Sequence, residues 1–485
     1  MDQPLDRSLD QPSTGLGANA LRDSFDRMVE RSRADAPATL EQRLDRLRRL
    51  RSLLTDNEQR FEQAISADFG HRCAVETLIA ETLSLLGDIK HTSKHLKRWM
   101  APRKVKTELQ FWPGQNRLLP QPLGVVGIIA PWNYPLQLTV APAIGALAAG
   151  NRVMIKPSEL SPAFSALLQE TVAATFDADE MVVTGIEDGI AEAFARLPFD
   201  HLMFTGSTRV GRIVAEAAGR NLTPVTLELG GKSPTLVDRS ADLDEVAPRI
   251  AYAKLMNAGQ TCIAPDYVLA PRDKVEALAD KIRAAMGRMF GSDPANPDYT
   301  SIVADRHYAR LQGLADDAAA QGAKLLQPAP ADDPAWSSRR KFPPTLVLGA
   351  TPDMKIMQEE IFGPLLPILG VDDAAEAIRF VNGRDRPLAL YWFGTDEAAR
   401  DEVLARTVSG GVTINDCLVH FAQQNQPMGG VGASGTGAYH GEWGFNTFSQ
   451  LKPVFYRSPY NRFADLYPPY GGKIARLSKL LRWLS

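Results

Sequence analysis

Apolar residues change their spacing along the chain. From about residue 20 to 100 they recur at helical intervals among many charges, as in LEQRLDRLRRLRSLL, and predict a helical layer. Beyond the proline-rich break from Pro113 to Pro122, short apolar runs alternate with helical text. LGVVGIIA, RVMIK, EMVVTGI, HLMFTG and VTLELGG read as buried strands; LQLTVAPAIGALAAG, SPAFSALLQETVAATF, Ala191 to Leu197 and Val210 to Ala218 read as helices. Such alternation predicts a parallel, doubly wound sheet. A second series begins near Lys232, with strands at SPTLV, DYVLA, PTLVL, PLLPILGV and GGVTIN and a helix over RDKVEALADKIRAAMGRMF. The expected fold class is α/β, with two doubly wound α/β domains. Residues 101–124 and 418–452, rich in Pro, Gly and aromatics, fit neither sheet and suit an arm or interface, and residues 1–20 are expected to be disordered.

A length of 485 residues supports two or three domains. The net charge of −3, with no long basic run, excludes a nucleic-acid footprint and favours a small-molecule partner. Three widely spaced cysteines, Cys73, Cys262 and Cys417, make neither a disulfide framework nor a C-x-x-C metal pair, so no metal site is expected and a reducing cytoplasm fits best. The polar N-terminus lacks a signal core, and no run of about 18 apolar residues can span a bilayer. The ending KIARLSKLLRWLS sets Ile474, Leu477, Leu480, Leu481 and Leu484 on one helical face. Docking of that face on the body or on a partner subunit is favoured over contact with an anionic membrane surface.

Two phosphate motifs are decoys. Gly430, Gly432 and Gly435 spell G-x-G-x-x-G, but QQNQP precedes them instead of a strand and no helix follows, so the segment reads as a mobile glycine loop. GKS at 231–233 lacks the upstream glycine of a P-loop. HLMFTGSTRVGRIV is the better candidate: Gly206 ends a strand, Ser207 offers a hydroxyl, and a helix with Gly211 near its first turn presents free amides to an anion. A bare helix cap explains the same text. Lys156 and Glu159, just past the strand RVMIK, stand where α/β sheets bind ligands and can bond ribose hydroxyls, or form a solvated pair.

Asn133 in PWNYP is held between prolines and can donate to an oxyanion or stabilise its own turn. Glu228 in LELGGK lies in an apolar strand, where its pKa should rise and suit a general base; a structural glutamate is the alternative. Cys262 in NAGQTCIAP follows a tight polar turn at Gly259, Gln260 and Thr261. That turn would expose the sulfur near free amides, whereas Cys73 and Cys417 read as structural. His91 and His95 are four apart on a helix and read as a surface pair.

PWNYP, KPSE, FTGST, LELGGK, GQTC, EEIFGP and GGVTIN, in this order, resemble the aldehyde dehydrogenase superfamily, and the 34 residues from Glu228 to Cys262 fit it. TIND and MGGVGASGTGAYHGEWGFNTFS are most similar to its class 3 and fatty aldehyde branch, and within it to bacterial coniferyl aldehyde dehydrogenases. The resemblance implies an NAD(P)-binding domain (21–100 and 125–229), a catalytic domain (230–417), a bridging β-arm (101–124 and 418–452) that usually builds a homodimer, and a tail (453–485). It implies Cys262 as nucleophile, Glu228 as base, and Asn133 with the Cys262 N–H as oxyanion hole. Lys156 and Glu159 would face the adenosine ribose, and Gly206 and Ser207, with Gly211, the pyrophosphate. Glu360 would hold the nicotinamide ribose, Phe362 would pack beside the ring, Trp132 joins the cofactor residues, and Asn415 would order the catalytic region. NAD is the expected cofactor because Glu159 repels a 2′-phosphate, with NADP accommodated if that side chain moves. The expected reaction oxidises an aromatic, coniferyl-type aldehyde to the acid. Aliphatic aldehydes, transfer of the acyl group to coenzyme A, and a non-catalytic binding protein on the same fold are the alternatives.

Overall fold

The computed structural model describes residues 16–291, 293–328, 333–460, 467–469, 471, 478–479 and 482. Six strands form one sheet in the order Gly435–Thr436, Val225–Glu228, His201–Thr205, Val125–Ile129, Arg152–Lys156, Met181–Val183. All run parallel except the first, which lies antiparallel to Val225–Glu228. Every residue of the three central strands is buried, because helices cover both faces, and their text is accordingly mostly apolar without alternation.

The second sheet has seven strands in the order Lys324–Leu326, Thr345–Leu348, Leu365–Val371, Tyr267–Pro271, Pro234–Val237, Ala389–Phe393, Gly411–Ile414, parallel apart from the antiparallel edge Lys324–Leu326. The α/β class and its two parallel-rich sheets are as expected. Ala389–Phe393 and Lys324–Leu326 were not predicted. ALYWF is buried at every position, so it carries no period-two signal, and KLL is a three-residue edge.

A third, antiparallel sheet joins Arg103–Val105, Gln115–Pro122 and Ser449–Tyr456. Three expectations are corrected here. Residues 16–20 belong to the helix Leu16–Ala34, anchored where Phe25 meets Phe199 edge-on at 5.1 Å, so the expected disorder does not extend over them; residues 1–15 lie outside the described residues. Segment 418–452 is not one arm: Gly435–Thr436 joins the six-stranded sheet, the helix Gly441–Thr447 packs on the helices Ser84–Trp99 and Gln137–Ala149, and the arm strand runs past 452 to Tyr456. The glycine loop is not free, because Leu229 N donates to Ser434 O at 3.1 Å and Thr208 Oγ1 to Ala433 O at 3.1 Å. The leucine face of the C-terminal helix lies outside the described residues. No described helix is long and apolar enough to cross a membrane.

Asp88, on the buried face of Ser84–Trp99, is pushed up to about 7 by burial, although the Thr92 hydroxyl donates to it at 3.1 Å and opposes the shift. Its neutral form is the one the fold favours. This carboxyl therefore costs the native state nothing below its ordinary range and progressively more as pH rises toward 7. Asp88→Asn is expected to raise thermal stability at pH 8 by on the order of 4 kcal/mol, from the size of such a shift, and by well under ~1 kcal/mol at pH 4. Melting curves of both proteins at the two pH values check this.

Candidate active site

Four neighbouring parallel strands deliver their carboxyl ends to one edge of the six-stranded sheet. Val125–Ile129 runs into PWNYP, Arg152–Lys156 ends on Lys156, His201–Thr205 runs into Gly206, and Val225–Glu228 ends on Glu228. Open α/β sheets bind ligands at such an edge. Lys156 is buried, and its Nζ donates to Oε2 of the rim residue Glu159 at 2.9 Å. Desolvation raises the Glu159 carboxyl, but the hydrogen bond and charge of Lys156 outweigh it and leave it below its ordinary value. Gly206 N donates to Glu228 O at 3.0 Å, and Ser207 Oγ accepts from Val210 N at 3.4 Å, capping the helix Thr208–Arg220. Gly211 is buried in that helix, where a Cβ would lie 2.6 Å from Leu229 Cδ2.

Cys262 follows the helix Leu243–Leu255 through a turn longer than expected. Asn257 (φ 53°), Ala258 (φ 51°) and Gly259 (φ 76°) are all left-handed, a conformation that only glycine adopts without strain. At Gly259 a Cβ would also strike the Gly363 carbonyl. Surrounding hydrogen bonds hold the turn. Asn257 N donates to Glu76 Oε2 at 3.0 Å, and Asn257 Nδ2 to Asn133 O at 2.9 Å and Gln260 O at 3.2 Å. Gln260 Nε2 donates to Asn257 O and to Ser301 O, each at 3.0 Å, and Gln260 Oε1 accepts from Val303 N at 3.0 Å. Asn133 does not serve its own turn: its Nδ2 donates across to Gln260 O at 3.2 Å. Tyr134 OH and Thr261 Oγ1 share a hydrogen bond of 2.8 Å beside the cysteine.

The polar turn does not expose the sulfur as expected. Cys262 is half-buried, and burial, then the charges of Glu360 and Glu228, push its thiol up to about 12, against the pull of the Cys262 and Ile263 amides. Burial alone holds Glu228 well above the carboxylate range, and neither of its oxygens has a hydrogen-bond partner among the described residues. Glu360 is pushed up to about 8 by burial and by Asp266; its carboxyl lies on Gly230, where a Cβ would collide with it, and accepts from the Gly231 amide. Phe362 (φ 49°) meets Trp132 edge-on at 5.4 Å, and Phe69 and His307 complete an aromatic wall at 6.1 and 5.2 Å from Trp132. Asn415 donates to Gly394 O at 3.0 Å and accepts from Gly394 N at 2.8 Å, tying two strand ends together.

The model of the aldehyde dehydrogenase family matches residues 14–454. The chain belongs to the aldehyde dehydrogenase family. It is similar to the coniferyl aldehyde dehydrogenase of Pseudomonas sp. (44% identical, covering 96% of this chain and 97% of that one) and to a probable coniferyl aldehyde dehydrogenase of Caulobacter vibrioides (47%, covering 95% and 97%). Mouse aldehyde dehydrogenase family 3 member A2 is 41% identical over 88% of this chain and 86% of its own. A substrate-bound Staphylococcus aureus AldH superposes with a TM-score of 0.89 at 38% identity, covering 95% and 99%. The protein is thus an enzyme, an NAD(P)-dependent aldehyde dehydrogenase of the class 3-like branch.

In this aldehyde dehydrogenase the decoy GKS lysine is structural: Lys232 Nζ pairs with Asp266 and donates to Ile356 O at 2.8 Å and Glu359 O at 2.9 Å. His91 and His95 are half-buried rather than a free surface pair, with rings 4.4 Å apart that continue onto Trp99. Cys73 and Cys417 are buried and unpaired. Among the described residues no cluster of His, Cys, Asp or Glu could hold a metal. The helical spacing over residues 20–100 marks Arg72, Glu76 and Glu81 only as charges of a helical layer, yet all three are buried beside the cysteine and asparagine loops.

A thiol at about 12 carries little thiolate near neutrality. Alkylation of Cys262 by iodoacetamide in the cofactor-free enzyme is expected to rise about tenfold per pH unit from roughly pH 7 to 10, following the thiolate fraction, with Cys73 and Cys417 unlabelled. Peptide mass spectra against pH check this, and a plateau below about pH 9 would refute it.

Proposed function

We propose that the enzyme oxidises a coniferyl-type aromatic aldehyde to its carboxylic acid through a thioester on Cys262. The observation that carries this reading is Glu228, a buried carboxyl without a hydrogen-bond partner among the described residues that acts electrostatically on the Cys262 thiol. The Cys262 sulfur, having given up its proton to solvent, bonds to the aldehyde carbon, and the former carbonyl oxygen becomes an oxyanion. Asn133 has two amide protons and spends one on Gln260 O, so the second is available to that oxyanion together with the Cys262 N–H. When bound, NAD(P) would supply a hydride acceptor, leaving the acyl group on Cys262 as a thioester. Glu228 in its ionised form then takes a proton from water, whose oxygen bonds to the acyl carbon; the C–S bond breaks, the acid leaves, and the proton passes from Glu228 to the departing sulfur, restoring the thiol and the carboxylate.

For the cofactor, Lys156 and Glu159 would bond the adenosine ribose, and Gly206, Ser207 and the free amides of the helix containing Gly211 would receive the pyrophosphate. Glu360, Phe362 and Trp132 would line the nicotinamide end. The buried Lys156 ammonium and ionised Glu159 fit a pair of ribose hydroxyls. The six-stranded sheet would then serve the cofactor and the seven-stranded sheet the catalytic loop. Three unpaired cysteines support a cytoplasmic setting. The relatives named coniferyl aldehyde dehydrogenase support an aromatic substrate, while the family 3 member A2 relatives keep an aliphatic one as the second reading.

Cys262→Ala is expected to abolish oxidation, whereas Glu228→Gln should accumulate acyl-enzyme visible by intact mass and move Cys262 alkylation to lower pH, since one negative charge is gone. Turnover without any adduct in either variant overturns the assignment. Initial rates with coniferyl, benzaldehyde-type and long aliphatic aldehydes, each with NAD and NADP, decide the substrate; turnover of aliphatic aldehydes alone overturns the aromatic reading.

The arm exposes Leu109, Trp112, Phe455 and Tyr456 at 64%, 68%, 46% and 52%. Apolar surface of this kind supports a homodimer built through the three-stranded sheet. Sedimentation should show a dimer for the wild type and a monomer for Trp112→Ser with Phe455→Ser; a monomeric wild type overturns it.

A further inference from the structure

Arg72 lies wholly buried between the two loops that form the proposed catalytic centre. One of its nitrogens, Nη1, donates to the backbone carbonyl of Asn133 at 2.8 Å and pairs with Glu81 Oε1 at 2.9 Å. Its guanidinium carbon lies 4.8 Å from the ring centre of Tyr134, whose hydroxyl binds Thr261 next to Cys262, and 5.1 Å from that of Phe69. Glu81 in turn accepts Leu136 N at 2.7 Å and Gln137 N at 3.1 Å, fixing the chain just beyond PWNYP.

The Asn133 carbonyl has two lone pairs, and both are engaged: one by Arg72, the other by Asn257 Nδ2 from the strained cysteine turn. With both filled from different segments, the Asn133 peptide plane has one orientation, and the side-chain amide rooted on it is aimed accordingly. We infer that Arg72 is a positioning residue that registers the Asn133 amide against Cys262, acting on the oxyanion through Asn133 without touching it. This deepens the reading of Asn133 as oxyanion donor and rests on it.

A double-mutant cycle on the full-length enzyme tests the inference. Arg72→Met combined with Glu81→Gln removes both charges together, while the amide introduced at 81 still accepts from Leu136 and Gln137. Because small misplacements of a catalytic group cost about 100-fold, kcat/KM should fall roughly 30- to 100-fold in this variant and to a similar degree in Asn133→Ala. Added to Asn133→Ala, the same two changes should cost no more than about 3-fold further, since residues acting through one group are not additive. Alkylation of Cys262 by iodoacetamide, which builds no oxyanion, should stay near the wild-type rate and shows that the fold and the thiol are intact. Arg72→Lys keeps the charge opposite Glu81 but not the planar fork, and should lose activity partially while alkylating normally.

Wild-type kcat/KM in both Arg72 variants, a full multiplicative loss on top of Asn133→Ala, or alkylation slowed in parallel with turnover would each overturn the inference. If Asn133→Ala itself retains wild-type kcat/KM, the oxyanion reading fails instead, whatever the Arg72 variants show.

Discussion

The left-handed turn Asn257–Ala258–Gly259 is the constraint around which the site is arranged. Two of its residues carry a Cβ, and each such conformation costs on the order of 1–3 kcal/mol. The turn lasts because hydrogen bonds worth about 1 kcal/mol each, and more where a carboxylate accepts, surround it on all sides. Those partners come from far apart: Glu76 from the helical layer, Asn133 from a strand end of the six-stranded sheet, Ser301 and Val303 from the seven-stranded unit. The position of Cys262 is therefore a product of the assembled molecule rather than of its own loop. A chain in which either sheet is unformed has no means of holding that turn.

Burial that fixes geometry also sets the charges. Cys262, Glu228 and Glu360 are acids in one poorly solvated region, and Lys254, fully buried and with no partner for its Nζ among the described residues, is brought down to about 8 by burial. Groups coupled this closely do not titrate one by one; ionising any of the acids makes the next harder to ionise. The surroundings that hold the thiol back would also strengthen the proposed oxyanion donors, because an amide aimed at a negative oxygen does more in a low-dielectric pocket than in water. On the proposed mechanism, reluctance of the thiol and strength of the oxyanion donors have one origin.

Much of this was legible in the chain. The strands VVGII, RVMIK and HLMFT were found because burial on both faces leaves apolar runs, and the ligand edge followed from where those runs end. Cys262, Glu228 and Asn133 stand out through glycine, proline and apolar neighbours, and the structure links the Asn133 and Cys262 loops by hydrogen bonds, which their text does not show. ALYWF was invisible because a five-residue apolar run has no period that separates strand from helix. Arg72, Glu76 and Glu81 were invisible for a different reason: their partners lie 61, 181 and 55 residues away, and charges on a helix read as solvated unless something distant buries them. The arm boundary failed because Gly435–Thr436 pairs with a strand more than two hundred residues upstream.

One local irregularity explains how a single helix reaches both loops. In a regular helix, residues five apart point about 140° away from each other. Over Leu78–Leu83 the turn widens, and in a wider turn five residues come closer to a full revolution. Glu76 and Glu81 can then both face inward, one to the cysteine turn and one to the chain after Asn133, while Val75, Ile79 and Leu83, four apart, remain exposed. A buried Arg–Glu pair adds little stability over apolar packing of the same volume. What Arg72 and Glu81 provide that apolar side chains could not is direction: a donor aimed at one carbonyl and an acceptor aimed at two amides, where the Asn133 and Cys262 loops meet.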